Sequence, residues 1–145
     1  ASNWDDHAVN WHIFNENKLR LPVYDRAIAS LIEDIYDRGL DQHVMLIVAG
    51  EFGRTPRINY NRGVGRGHYP HAMSVLVSGG NLKVGQVVGS TDEEAAHPKE
   101  NPLAPEDLWA TVYRFLGIDI NRTFTDHTGR EVRILSNGKP IAELI

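Results

Sequence analysis

The 145-residue chain has no cysteine. That removes disulfides and thiolate ligation, so any bound metal must be held by histidine, carboxylate or hydroxyl oxygen. Long apolar runs are missing as well. None approaches the roughly 18–20 residues that span a bilayer, and no basic-then-apolar signal segment opens the chain, so no membrane span is expected. Positive charge is in short supply: 15 Lys and Arg face 19 Asp and Glu, a net charge of −4 with the seven histidines neutral. With no local Lys/Arg cluster either, the composition argues against nucleic acid as a partner. The Gly-x-Ser-x-Gly elbow, the Walker loop and the Gly-x-Gly-x-x-Gly fingerprint are all absent, which withdraws support from serine-hydrolase and nucleotide-binding readings. There is no internal repeat, low-complexity segment or dividing linker.

What is present is ordinary globular material, 41% hydrophobic and 23% charged, enough for one core and too short for two comfortable domains. The first residue is Ala1, which leads us to expect a processed chain or a fragment. The most informative stretch runs from Val44 to Ser78. An apolar run, Val44 to Val48, stops at Gly50 and Glu51, and a second, Met73 to Val77, follows a loop that carries His68 and His71. Short β-branched runs ending at glycine and a carboxylate read as interior strands of a parallel sheet, because both faces must be covered. Ligands of open α/β sheets bind beyond the carboxyl ends of such strands, which is where Glu51 falls.

Around that stretch, Pro22 to Arg38 reads as a helix with Ile28, Leu31, Ile32, Ile35 and Tyr36 on one face, Pro22 in its first turn and Gly39 as its stop. Pro105 to Leu116 reads as a second helix, stopped by Gly117, with Glu106 and Asp107 in the first turn. Lys83 to Val88 and Val132 to Leu135 read as short strands, and Thr91 to Pro102 as a solvated loop with a surface His97. Residues 3–14 look like a loop with packed aromatics. Helix, short loop and buried strand are the grammar of an α/β fold, so the expected class is a largely parallel or mixed sheet flanked by helices.

The chemistry-bearing residues lie in three segments. Asp5 and His7 are two apart and point the same way if extended, which is ligand or acid–base geometry, or else the polar cap of a surface turn. Glu51 and Arg54 place an anion and a cation on neighbouring loop positions. A metal or a tetrahedral oxyanion would use both, and an ion pair bracing the turn is the alternative. Of His68 and His71, with Pro70 between them, at most one is expected to be a ligand. A dispersed Asp/Glu/His set without cysteine suits a hard or borderline divalent ion and hydrolytic chemistry.

Several motifs carry a resemblance. Trp4-Asp5-x-His7, Gly50-Glu51-Phe52-Gly53-Arg54-Thr55-Pro56, Gly65-Arg66-Gly67-His68-Tyr69-Pro70, Ser74 to Gly80 and the Pro105 to Ile118 helix resemble the C-terminal part of DUF1501 proteins, over nearly the whole chain. That family resembles sulfatases and the alkaline-phosphatase superfamily. The resemblance implies a metal-dependent hydrolase of sulfate or phosphate esters, incomplete in this chain, acting on a small-molecule or carbohydrate ester. The alternative is a degenerate, non-catalytic member that binds an anion or carbohydrate or is structural. By resemblance, Asp5, His7, Glu51 and His68 are metal ligands for Zn, Mn or Ca, Arg54 is the catalytic anion-binding group, and an exported or periplasmic location is implied. Phe52 and Gly67 depart from the pattern, standing where a ligand histidine and an aspartate are usual. The nucleophile lies in sequence not present here, and Thr55 has no paired base to replace it. Oligomeric state is not legible.

Overall fold

A computed structural model describes residues 4–7, 12–61 and 63–145. Parts of the expected aromatic loop, residue 3 and residues 8–11, lie outside the described residues. The elements, in order, are helix α1 (Ile13–Asp37), strands β1 (Met45–Val48), β2 (Gly53–Arg54), β3 (His68–Tyr69), β4 (Leu76–Gly79), β5 (Ser90–Thr91) and β6 (Pro98–Glu100), helix α2 (Pro105–Phe115), strands β7 (Thr123–Thr125) and β8 (Glu131–Arg133), and a 3₁₀ turn at Ala142–Leu144.

The expected parallel or mixed sheet flanked by helices is overturned. Among the described residues every sheet is a two-stranded antiparallel ladder: β1 with β4, β2 with β3, β5 with β6, β7 with β8. β1 and β4 run from Met45 opposite Gly79 to Val48 opposite Leu76. The apolar run specifies burial and not the direction of its partner. The connection from β1 to β4 contains the β2–β3 pair and no crossover helix, so the chain returns antiparallel. All four β1 residues are half-buried, not covered on both faces. Lys83 to Val88 is not a strand, and Val87 is 93% exposed. The loop expected at Thr91 to Pro102 instead contributes to the β5–β6 hairpin.

Helix α1 begins at Ile13, so Pro22 lies inside it and not in its first turn. Proline removes one intrahelical bond. Tertiary anchors carry the helix past it: the Ile13 N–H donates to the Val64 carbonyl, and Arg20 bonds both Glu16 and Asp6. Helix α2 stands where the sequence placed it. Its Asp107 carboxylate accepts the Ala104 N–H at 2.8 Å and the Lys139 N–H at 2.9 Å, closing the helix start against the tail. These bonds hold the Asp107 carboxyl below its ordinary pKa. Thr111, fully buried, donates to the Asp107 carbonyl and accepts the Ile141 N–H.

The buried apolar residues among those described are Ile35, Ala110, Ile141 and Leu144. The core is narrow, and the chain exposes 10483 Å², against about 7,500 Å² for a globular chain of its mass. Leu19, Leu31 and Trp109 are among the large apolar side chains left in solvent.

Candidate metal centre

The site is built on the β2–β3 ladder. Arg54 pairs directly with His68, and directly opposed residues of an antiparallel pair present their side chains on the same face. The neighbouring pair, Gly53 with Tyr69, faces the other way. Glycine is required at position 53 because a Cβ there would run into the carbonyl oxygen of Ala72. That close approach seats the ladder on the turn that follows β3.

Across from Arg54 and His68 lies the segment of residues 4–7. The Asp5 carboxylate is its hub. Arg54 Nη1 donates to Asp5 Oδ1 at 2.9 Å, and His68 Nε2 lies 2.6 Å from the same oxygen. His7 Nδ1 lies 3.0 Å from Asp5 Oδ2. Arg54 also donates through Nη2 to the Trp4 carbonyl at 2.9 Å. The bonds from His68 and then Arg54 outweigh partial desolvation and hold the Asp5 carboxyl well below the usual carboxylate range. Asp5 is therefore an anion at any pH near neutral.

Asp5, His7 and His68 each offer one ligand atom, and the three atoms lie within 4.8 Å of one another. Ligands at about 2.0–2.2 Å from a tetrahedral ion stand about 3.4 Å apart, so the three are candidate ligands for a single ion. The side chains of Asp5, His7 and His68 are 40%, 35% and 50% exposed, which leaves the site open to an incoming group.

Further contacts fix the segment. Asp6, 4% exposed, takes a bidentate pair from Arg20 of α1 at 2.9 and 3.0 Å. Trp4 packs edge-on against Tyr24, with ring centroids 5.4 Å apart, and carries the Arg20 guanidinium over its ring. The Arg66 N–H donates to the Asp6 carbonyl, tying the same segment to the loop before β3. Sequence reasoning missed Arg20. Its signal was the i, i+4 spacing from Glu16, which becomes visible only once the helix is known to start at Ile13.

Of the residues singled out in the sequence, Asp5, His7 and His68 converge and Arg54 bonds their shared carboxylate. Glu51 is exposed and is not among the three converging donors. It lines a cavity of about 720 Å³ with Trp4, Asp5, Tyr24, Phe52 and Arg54. Phe52 packs on the His68 ring, centroids 4.3 Å apart. Thr55 Oγ1 donates to the Arg57 carbonyl and accepts the Gly67 N–H, so its hydroxyl braces the loop. His71 lies away from this group, beside Tyr69 and His97.

A family model described as a protein of unknown function, DUF1501, matches residues 1–145. The chain is a DUF1501 protein. No curated protein and no solved structure matches it. In this DUF1501 chain the motifs quoted from the sequence supply the converging side chains: Trp4 to His7 provides Asp5 and His7, the Gly50 to Pro56 block provides Arg54, and the Gly65 to Pro70 loop provides His68.

Proposed function

We propose that Asp5, His7 and His68 bind one divalent cation, and that this DUF1501 chain contributes the centre to a metal-dependent hydrolase of sulfate or phosphate esters. The observation that carries this reading is the convergence of two imidazoles and one carboxylate within 4.8 Å, with an arginine fork on the same carboxylate. The resemblance of DUF1501 proteins to sulfatases and the alkaline-phosphatase superfamily supports it. Two nitrogens and one oxygen suit Zn²⁺ or Mn²⁺ better than Ca²⁺, which favours all-oxygen shells. A bound ion supplies Lewis-acid polarisation of the ester oxygen.

The protein's own groups do the rest. Asp5, held anionic by His68 and Arg54, is ready to ligate without first losing a proton. Arg54, anchored to Asp5 and the Trp4 carbonyl, places a guanidinium beside the ligands, where its positive charge attracts a tetrahedral anion. Glu51, on the cavity wall, is either a further ligand or the group that holds a substrate hydroxyl. Glu51→Gln separates these roles, because only the first lowers metal affinity.

The test is titration of the purified protein with Zn²⁺, Mn²⁺ and Ca²⁺ by calorimetry, alongside hydrolysis of 4-nitrophenyl sulfate and phosphate. Asp5→Asn and His68→Ala are each expected to abolish binding at this centre and any hydrolysis that depends on it. Unchanged metal binding and activity in both variants would sink the reading. The rival reading is a non-catalytic member using the same residues as an ion network or an anion or carbohydrate site. It is favoured by the bonds that Asp5 already makes within the protein and by the packing of Phe52 on one side of the His68 ring. It predicts no stoichiometric metal.

A further inference from the structure

Strand alternation that turns His68 toward Asp5 sends Tyr69 to the opposite side of β3. There Tyr69 meets two histidines from different segments. The Tyr69 ring lies 5.0 Å from the His71 ring and 6.4 Å from the His97 ring, and His71 and His97 lie 5.4 Å apart with their planes at 59°. We propose that His71 and His97 form a second metal site, separate from the Asp5 centre, that takes a borderline imidazole-seeking cation such as Zn²⁺, Cu²⁺ or Ni²⁺ and clamps the β5–β6 hairpin to the turn after β3.

The separation fits chelation. With metal–nitrogen bonds of about 2.0–2.1 Å and a tetrahedral angle, the ring centroids of two coordinated imidazoles stand about 5.2 Å apart. The molecule offers its own comparison. His7 and His68, whose ligand nitrogens do converge, have the same 5.4 Å centroid separation and an interplanar angle of 63°. His97 is also held in place. The Asp92 carboxylate accepts the Ala96 N–H at 2.6 Å and the His97 N–H at 3.1 Å, and the Asp92 N–H donates to the His97 carbonyl at 2.9 Å. These bonds fix the backbone of the loop from which His97 projects, which lowers the ordering cost of chelation. Both histidines are exposed, so an ion reaches them directly and open coordination positions remain for water. Two imidazoles without an intervening carboxylate discriminate against Mg²⁺ and Ca²⁺, which demand oxygen.

The experiment is zinc titration of the whole chain by calorimetry, with Cu²⁺ electron paramagnetic resonance as a second readout. Four proteins are compared: wild type, His71→Gln, His97→Gln and the Asp5→Asn/His68→Ala double variant. Wild type is expected to bind one more Zn²⁺ than either histidine variant, and the Cu²⁺ spectrum, which in wild type also carries the His7 and His68 imidazoles, to lose nitrogen coupling in each. The Asp5→Asn/His68→Ala protein keeps this second ion, so a failure of the proposed hydrolytic centre is distinguishable from a failure here. Both substitutions are on exposed side chains and leave the fold intact, which circular dichroism checks. Equal zinc stoichiometry in wild type and in both His71→Gln and His97→Gln, or nitrogen coupling unchanged in either variant, would overturn the proposal.

Discussion

Removing Arg20 should unfold the chain far more readily than removing any surface cation. The Arg20 and Asp6 side chains are 11% and 5% exposed and share two hydrogen bonds, and Arg20 adds a third to Glu16 at 2.8 Å. Arg20→Met deletes all three and leaves the Asp6 carboxylate buried with its main counter-charge gone. Breaking a buried pair from one side costs about 3–5 kcal/mol, because desolvation of the remaining ion is no longer offset. With a urea dependence of roughly 1.5 kcal/mol per M, the unfolding midpoint falls by about 2–3 M. The internal control is Arg38→Met, which breaks the Arg38–Asp34 pair, 66% and 53% exposed. It should cost no more than about 1 kcal/mol. The double variant Asp6→Leu/Arg20→Met should recover much of the loss, since replacing both members of a buried pair with apolar groups is often close to neutral. Urea unfolding followed by circular dichroism measures all three. A midpoint for Arg20→Met no lower than that for Arg38→Met would refute the assignment of Asp6–Arg20 as the anchor of the site segment. Because Asp6 lies between Asp5 and His7, Arg20→Met should also weaken the metal binding proposed for Asp5, His7 and His68.

Other perturbations test separate links. Gly53→Ala drives a methyl into the Ala72 carbonyl and should cost about 1–3 kcal/mol; a variant as stable as wild type in the same urea assay would show that β2 does not need this approach. Arg54→Lys keeps the charge and loses the fork that bonds both Asp5 and the Trp4 carbonyl. Inhibition by free sulfate or phosphate should weaken by more than tenfold while zinc stoichiometry holds, and an unchanged inhibition constant would remove Arg54 from anion binding. Asp107→Ala removes the carboxylate that accepts the Ala104 and Lys139 N–H groups and should cost about 1–2 kcal/mol near neutral pH. The folded carboxyl titrates below its unfolded value of about 3.9, so its contribution is complete above that value and is lost as pH falls through the depressed one. The stability gap between Asp107→Ala and wild type should therefore close under acid, and a gap independent of pH would contradict the capping role.

What the sequence made legible follows from which forces are local. Helix α2 was readable because its signals all lie within a few residues: Pro105 at the start, acids in the first turn, Gly117 at φ +70° as the stop. Helix α1 was cut short at Pro22 because a propensity argument weighs the proline, whereas the bonds that carry the helix past it come from Asp6 and Val64. The antiparallel pairing of β1 with β4 was unreadable for a related reason. Direction is decided by the path between strands, and that path is set by a two-residue ladder too short to leave a period in the sequence. The site behaved differently. Asp5, His7 and His68, singled out together with Glu51 for side-chain types that restrict the chemistry, lie close together because the antiparallel β2–β3 pair delivers Arg54 and His68 to one face as effectively as a parallel sheet edge would have, whereas Glu51 stays outside the group. The His71 and His97 rings come within 5.4 Å of each other only through the turn after β3 and the β5–β6 hairpin. A pairwise property of this kind belongs to the topology, so no inspection of either residue's neighbours in the chain would have disclosed it.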